Sequence, residues 1–388
     1  DNFRITSPLV NPYNPAPVSQ RPFFVGRAHE IQEITSYVES PGARHILIRG
    51  PKRIGKSSLM NHLGQYYFKD HSIIGRLDFQ SLPTEMLRFE RLLERLAELL
   101  RQEAGTRGRI YHLDTAMLQR APIDAFANFL DDIHNPTTSK RIIVLLDELG
   151  VLASRLLATG QESEFFEHWR ALLNDPRVYE RLVFIAVLPD HPVERMRRKA
   201  EQPLLRYGEL GMQLPLSVLS DADARDLIES PVRDHLDYTP EDITLLLQET
   251  GGHPYYIHLV CSHIVNEIKI QRKRSGLRVH QRQTVPNSLI QEALQGVLYN
   301  DDAFHHLLAD STPETTSVLR AIATLSRSGD RLFPYSRISR LLERKHHGID
   351  SSAIMAAVKE RPDLLVEQDQ MVGIRAALMA RWLEREGI

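Results

Sequence analysis

The chain has 388 residues, 42% of them hydrophobic and 25% charged, with a formal net charge of −2. That length gives room for about two to three domains with cores of their own, and the near-neutral balance excludes a molecule built as a whole to bind polyanions, so any nucleic-acid role rests on a local patch. The single cysteine, Cys261, excludes an intrachain disulfide framework and fits a reducing, cytoplasmic setting; no apolar run of about 18 residues or signal-type leader is present, and a start at Asp1 without Met points to a piece cut from a longer protein.

Residues 1–22 carry Pro8, Pro12, Pro15, Pro17 and Pro22. Such a segment cannot propagate a helix or a central strand and is expected to run extended over a surface. The first helix follows in FFVGRAHEIQEITSYVES, where Ile31, Ile34, Tyr37 and Val38 recur at helical spacing. Strands and helices then alternate. HILIRG (45–50) reads as a strand and leads through 50–57 into a helix reaching Tyr67. SIIGRLDFQ (72–80) is a second strand, and Phe89, Leu92, Leu93, Leu96, Leu99 and Leu100 mark one face of a helix. RIIVLLDE (141–148) and RLVFIAVL (181–188) are apolar at every central position, as expected of parallel strands covered on both faces, and MQLPL is a shorter fifth strand. The order predicts an open, mostly parallel α/β sheet.

After Leu219 the pattern becomes helical. Ser220 and Thr239 are N-cap residues, Gly251-Gly252 stop the second helix, and HPYYIHLVCSHIVNEIKI begins another. From about Pro313 three further helices are followed by LLVEQ and MVGIR around a turn at Asp369-Gln370, and AALMARWLERE closes the chain. The expected organisation is an extended segment (1–22), a P-loop α/β domain (23–219), an all-helical lid (220–312) and a C-terminal winged helix (313–388).

The strongest signal is IRGPKRIGKSSLM, with the spacing Gly50-x4-Gly55-Lys56-Ser57. A chance match in a chain of this length is about a one-in-a-hundred event, and this one lies between a strand and a helix, as its mechanism demands. Backbone amides of Gly50, Pro51, Lys52, Arg53, Ile54, Gly55 and Ser58 line the loop, apart from the N–H that Pro51 lacks, and the helix N-terminus adds partial positive charge. Lys56 would reach the β- and γ-phosphates of ATP, and Ser57 would ligate Mg²⁺. Asp147, at the C-terminal end of its strand, would hold Mg²⁺ through water, and Glu148 would polarise an attacking water. The simpler alternative is that Asp147-Glu148 cap the next helix. No Asn-Lys-x-Asp run suggests guanine.

Taken in order, FFVGRAHEIQEI, GPKRIGKSSLM, VLLDE and GGHPYYIHLV resemble the signal-transduction ATPases with numerous domains (STAND), a branch of the AAA+ superclass, and most of all the archaeal-type relatives of origin-recognition ATPases. The likeness spans about residues 23–383. It implies that Phe24, Val25, Gly26 and Arg27 pack on adenine and that Pro254, in Gly252-His253-Pro254, closes the adenine pocket, with nucleotide between α/β domain, lid and winged helix. Taken singly, FVGR is also an ordinary turn into a helix, and GGHP a helix stop and restart.

Departures from that pattern matter. The strand RLVFIAVL ends in Leu188-Pro189-Asp190, where relatives place a polar γ-phosphate sensor, so hydrolysis is expected to be slow; Arg195, Arg197 and Arg198 follow as substitutes or as a solvated helix. Arg177 and Arg181 stand roughly where an arginine finger would be, or make surface ion pairs. The C-terminal hairpin lacks the histidine of animal and plant relatives, and Arg375 is its best stand-in; His346-His347 fall at a helix end and read as exposed polar residues. Lys269, Arg272, Lys273, Arg274, Arg278 and Arg282 form one basic run without interleaved aromatics, either a DNA contact or a solvated loop.

Two functions are therefore expected. One is an ATP/ADP-controlled switch that homo-oligomerises in the ATP state or signals to an effector or sensor segment outside this stretch. The other is a DNA-associated loader using the basic loop and winged helix. A P-loop kinase or transferase has less behind it, since no acceptor site is legible.

Overall fold

A computed structural model describes residues 8–14, 16–20, 23–105, 112–134, 141–189, 211–275, 282–309, 311–345 and 350–386. Five parallel strands make one sheet in the order β2-β3-β4-β1-β5, where β1 is His45–Gly50, β2 Ser72–Asp78, β3 Arg141–Asp147, β4 Leu182–Pro189 and β5 Met212–Pro215. The runs that lack polar alternation take the inner places: Ile142–Leu146 of β3 and Leu182–Leu188 of β4 are buried throughout. Polar side chains there would lie against apolar helices without water or partners.

The α/β unit comprises Arg27–Gly50 and Lys56–Leu216. Its core joins alternate residues of the inner strands to Leu92, Leu93, Leu96 and Leu100 of the helix Phe89–Gly105, and to Phe165, Phe166 and Trp169 of the helix Glu162–Asn174. Two helices not anticipated above, Thr115–Arg120 and Pro122–Ile133, add Leu118, Phe126, Phe129 and Leu130. Asp114 caps the first through its side chain, and Pro122 opens the second at the position where a missing N–H costs nothing.

The second unit comprises Asp1–Gly26, Pro51–Gly55 and Ser217–Ile388. Ser220 accepts the Asp223 N–H, and Thr239 forms a reciprocal capping box with Asp242. The elements of residues 220–312 and of 313–388 share a single hydrophobic cluster, in which Phe304 stacks on Trp382 with ring centroids 5.0 Å apart. Three helices, Pro313–Ser326, Tyr335–Lys345 and Ser351–Glu360, precede an antiparallel hairpin of Leu365–Gln368 and Met371–Ile374. Asp369 and Gln370 turn it with φ of 50° and 60°, the two left-handed residues a tight hairpin requires. A short strand, Phe333–Pro334, pairs on its far edge.

The proline-rich start does more than run over a surface. Leu9 and Tyr13 are buried in this unit's core, Tyr13 Oη donates to Ile228 O at 2.5 Å, and Asn11 Nδ2 donates to Ser262 O and Oγ. Burial among these groups pushes the Cys261 thiol up to about 12. Pro15 and Pro22 lie outside the described residues.

Candidate functional site

β1 ends at Gly50, with φ 152°, and the helix Lys56–Tyr66 begins six residues later. The five residues between turn the chain back on itself, with Arg53 at φ 63° and Gly55 at φ 101°. Ile54 is fully buried and pins the turn, while Lys52 and Arg53 are exposed. Lys56 is 7% exposed, and its Nζ donates to Gly50 O at 2.8 Å, so the ammonium is folded back across the mouth of its own loop. A helix N-terminus, a left-handed turn and a nearly buried ammonium are together the makings of a cradle for an anion.

Ser57 Oγ donates to Asp147 Oδ1 at 3.2 Å, and the same oxygen accepts the Glu148 N–H at 2.9 Å. Asp78 stands beside Asp147 in the β2–β3 register. Burial holds the Asp147 carboxyl above the usual carboxylate range and the nearby Asp78 adds to that, against the hydrogen bonds from Ser57 and Glu148 and the charge of Lys56. No group of three or more His, Cys, Asp or Glu is placed to hold a metal among the described residues. One hydroxyl and a desolvated carboxylate, all oxygen, nonetheless fit Mg²⁺, which takes few protein ligands and completes its shell with phosphate and water.

Glu148 has left-handed backbone angles, φ 56° and ψ 42°, where the helix Leu149–Thr159 starts. It occupies the cap position, yet its side chain makes no capping hydrogen bond. Sequence reasoning missed Arg155, one helix face further on. Its guanidinium donates to Leu82 O at 2.6 Å, Gln80 O at 3.3 Å and Phe79 O at 3.4 Å, clamping the loop that follows Asp78. Nothing local marks it, since its acceptors are backbone carbonyls more than 70 residues earlier.

β4 runs on to Pro189, whose register partner is Gly50, and Leu188 is buried in the α/β core. The strand end beside the phosphate loop thus carries Leu and Pro; Asp190, Arg195, Arg197 and Arg198 lie outside the described residues. Arg177 pairs with Asp175 and Asp124 at 2.7 and 2.6 Å, and Arg181 with Asp131 at 2.5 Å. Both precede β4, at the N-terminal edge of the sheet.

In the other unit, Phe24 N–H donates to Gln20 O, Val25 packs on the hydrophobic cluster, and Gly26 has φ 73° against the side chain of Asp223. Arg27, in the α/β unit, opens the helix Ala28–Glu39 and pairs with Glu30 at 2.9 Å. Gly251 and Gly252 are both left-handed; a Cβ on Gly252 would lie 2.7 Å from Leu219 O, and one on Gly251 2.9 Å from the backbone of Arg375 and Ala376. Pro254 starts the helix Pro254–Ser275, and the Arg53 guanidinium lies over the Tyr255 ring, 4.5 Å from its centroid. Arg375 donates from Nε to Pro362 O at 3.1 Å, and burial lowers its pKa. This unit therefore brings Arg53, Gly251-Gly252, Tyr255 and Arg375 to the start of one helix.

The basic run is partly engaged: Arg272 donates to Gln283 and His235 O, and Arg282 pairs with Asp237 at 2.5 Å, while Lys269, Lys273 and Arg274 are exposed. Arg278 and His346-His347 lie outside the described residues. No helix among the described residues is long and apolar enough to cross a membrane.

A parallel sheet with a Gly-x4-Gly-Lys-Ser turn between β1 and a helix, and a carboxylate at the end of β3, defines a P-loop nucleotide-binding fold. The AAA-like domain family matches residues 13–274, and the chain belongs to that family. The fold is similar to that of a Walker-type ATPase of Pyrococcus abyssi, with TM-score 0.62 at 17% identity, over 96% of this chain and 99% of that one. It is also similar to the ORC2 protein of Aeropyrum pernix in its ADPNP–ADP complexes, with TM-score 0.55 at 12% identity, over 97% and 99% of the two chains. No curated protein matches the chain in sequence.

Proposed function

We propose that the chain is the ATPase core of a STAND-type switch that binds ATP or ADP with Mg²⁺ and hydrolyses ATP slowly. The observation that carries the reading is the cluster of Lys56, Ser57 and Asp147 at the C-terminal ends of β1 and β3, with Leu188 and Pro189 at the adjoining end of β4. The nucleotide state of the A. pernix protein and the Walker-type character of the P. abyssi protein support the choice of ligand.

The loop amides from Gly50 to Ser58 and the Lys56 ammonium would hold the phosphates, and Ser57 and Asp147 would hold Mg²⁺. Bound Mg²⁺ supplies charge neutralisation at the phosphate oxygens. Glu148 takes a proton from a water as its oxygen attacks the γ-phosphorus, and the bond to the ADP oxygen breaks. Without a polar side chain from Leu188 or Pro189, charge on the transferred phosphoryl group is less well met, and turnover is slow. Phe24, Val25, Gly26 and Pro254 are our choice for the adenine contacts, joined by Arg27. We read residues 220–312 as the lid and 313–388 as a winged helix, with Arg375 reaching toward the nucleotide. ATP-dependent oligomerisation or signalling to an effector segment would be the output.

The DNA-loader reading is not advanced. Arg272 and Arg282 turn to protein acceptors, and the helix Ser351–Glu360 has only Lys359 as a basic residue.

The test is the mass and shape of the purified chain in ATP and in ADP, by light scattering and small-angle scattering, with Lys56→Ala as control. A nucleotide-dependent change lost in the variant is expected; identical profiles in both nucleotides would sink the switch.

A further inference from the structure

We propose that a cavity inside the α/β unit, lined by no residue of the phosphate loop, is a binding site for a free α-amino acid with an apolar side chain. The cavity measures about 290 Å³. It lies among the one-turn helix Thr84–Leu87, the start of the helix Phe89–Gly105, the end of the helix Leu149–Thr159 and the helix Glu162–Asn174. All four elements belong to the α/β unit, and the inference does not depend on the nucleotide reading.

The floor is apolar: Leu87, Phe89, Leu156 and Phe165 are buried. Phe89 and Phe165 meet edge to face with ring centroids 6.0 Å apart, and the His168 imidazole stacks on Phe89 at 5.3 Å and 25°. Arg88, Glu90 and Glu164 line the same cavity. Among the described residues none of these three side chains has an ion-pair or hydrogen-bond partner, and neither nitrogen of His168 has one. Further along the same helix the charges do pair, Arg91 with Glu94 at 2.7 Å and Arg95 with Glu98 at 2.5 Å. Spacing accounts for the difference, since side chains three apart on a helix meet and side chains two apart, as Arg88 and Glu90 are, do not. Both signs of charge are thus offered to the cavity instead of cancelling each other. Glu90 and Glu164 each stand in the first turn of a helix, where a carboxylate complements the dipole wherever it points. That role does not require both to line one cavity with an aromatic floor. No three carboxylate, imidazole or thiol groups converge to hold a metal among the described residues, so the charges are spread around the cavity.

Such a lining suits a small molecule that carries both charges on an apolar body. A guanidinium binds a carboxylate through two parallel hydrogen bonds. The two glutamates meet an ammonium, which an aromatic face also attracts. The buried floor takes an apolar side chain out of water. An α-amino acid combines these three demands in few atoms. The volume stands at the small end of the range of ligand pockets, about 300–1,000 Å³, which suits one amino acid better than a larger metabolite.

The experiment is titration calorimetry on the full chain with L-leucine and L-phenylalanine. Each is compared with its amide, which lacks the carboxylate, and with its deamino acid, which lacks the ammonium. Saturable binding of at least one amino acid is expected, with both of its analogues weaker by about ten-fold or more. Arg88→Gln should weaken the amino acid about ten-fold and leave its amide unmoved, whereas Glu90→Gln combined with Glu164→Gln should weaken both. The proposal is overturned if neither amino acid binds saturably, or if the amide or the deamino acid binds as tightly as its parent. It is overturned too if binding survives these substitutions unchanged, which would place it elsewhere on the chain. Should the double variant fail to fold by circular dichroism, Arg88→Gln and the analogues decide alone.

Discussion

Asp78 and Asp147 face each other across the β2–β3 register, each the last residue of its strand. Two carboxylates so placed repel one another, and burial adds to the cost for Asp147, whose carboxyl is held above the usual range. The arrangement is unfavourable by itself, and the dication proposed above would relieve it.

Asp147→Asn should therefore stabilise the nucleotide-free protein while destroying Mg²⁺-dependent turnover. A group with a raised folded pKa binds more protons folded than unfolded, so its contribution to stability falls as pH rises through the window from the unfolded toward the folded pKa. The variant's advantage should accordingly be absent at strongly acid pH and fully open at neutral pH. A melting midpoint raised on the order of 2 °C at pH 7 is expected, and calorimetry from pH 4 to 7 checks it.

Glu148 separates strain from chemistry. Gln at this position keeps the backbone and should reduce turnover about 10²- to 10⁴-fold while nucleotide still binds. Gly should abolish turnover too, but relieve the left-handed backbone and add about 1 kcal/mol of stability. Phosphate release and urea unfolding on both variants test the pair; equal stability of the two would show that φ 56° carries no strain.

Gly252→Ala should destabilise the C-terminal unit by about 1–3 kcal/mol. Leu219 N–H donates to Gly252 O at 3.0 Å, and the new methyl would lie 2.7 Å from Leu219 O, a backbone atom with little room to move. Hydrogen exchange should rise around Leu219 and the start of the Pro254–Ser275 helix, and a wild-type exchange pattern would contradict the prediction.

Arg361 and Asp363 are 4% and 1% exposed, joined by two hydrogen bonds of 2.9 and 2.7 Å. Arg361 also donates to Leu307 O at 2.7 Å and to Ser311 Oγ. Asp363→Ala leaves a buried guanidinium without its counter-charge and should cost about 3–5 kcal/mol. Replacing both residues with Met and Leu should recover a substantial part, which denaturant midpoints of the single and double variants will show.

What was legible in the sequence follows from where the physics is local. The strands β3 and β4 announce themselves because covered faces demand unbroken apolar runs, and the caps at Ser220 and Thr239 because a side-chain oxygen must lie three residues from its amide. The Gly50–Ser57 spacing is local for the same reason. The Arg155 clamp and the Asn11 and Tyr13 anchors span 73 to 251 residues and leave no pattern along the chain. The helix Pro122–Ile133, by contrast, is locally encoded, with Phe126, Phe129 and Leu130 on one face and Pro122 at its start. The Arg53–Tyr255 contact joins two motifs about 200 residues apart, Gly50–Ser57 and Gly252–Pro254 with the residue after it, and no spacing along the chain signals it.

The bonds of Asn11 have a consequence for the order in which the protein is made. Its acceptors on Ser262 are 251 residues downstream. At a synthesis rate of about 5–20 residues per second, it waits roughly 10–50 s for them. The whole of Arg27–Leu216 is translated in that interval. Leu9 and Tyr13, made ahead of the α/β unit, thus wait for core partners made after it, and the α/β unit has time to settle before the segment ahead of it is fastened.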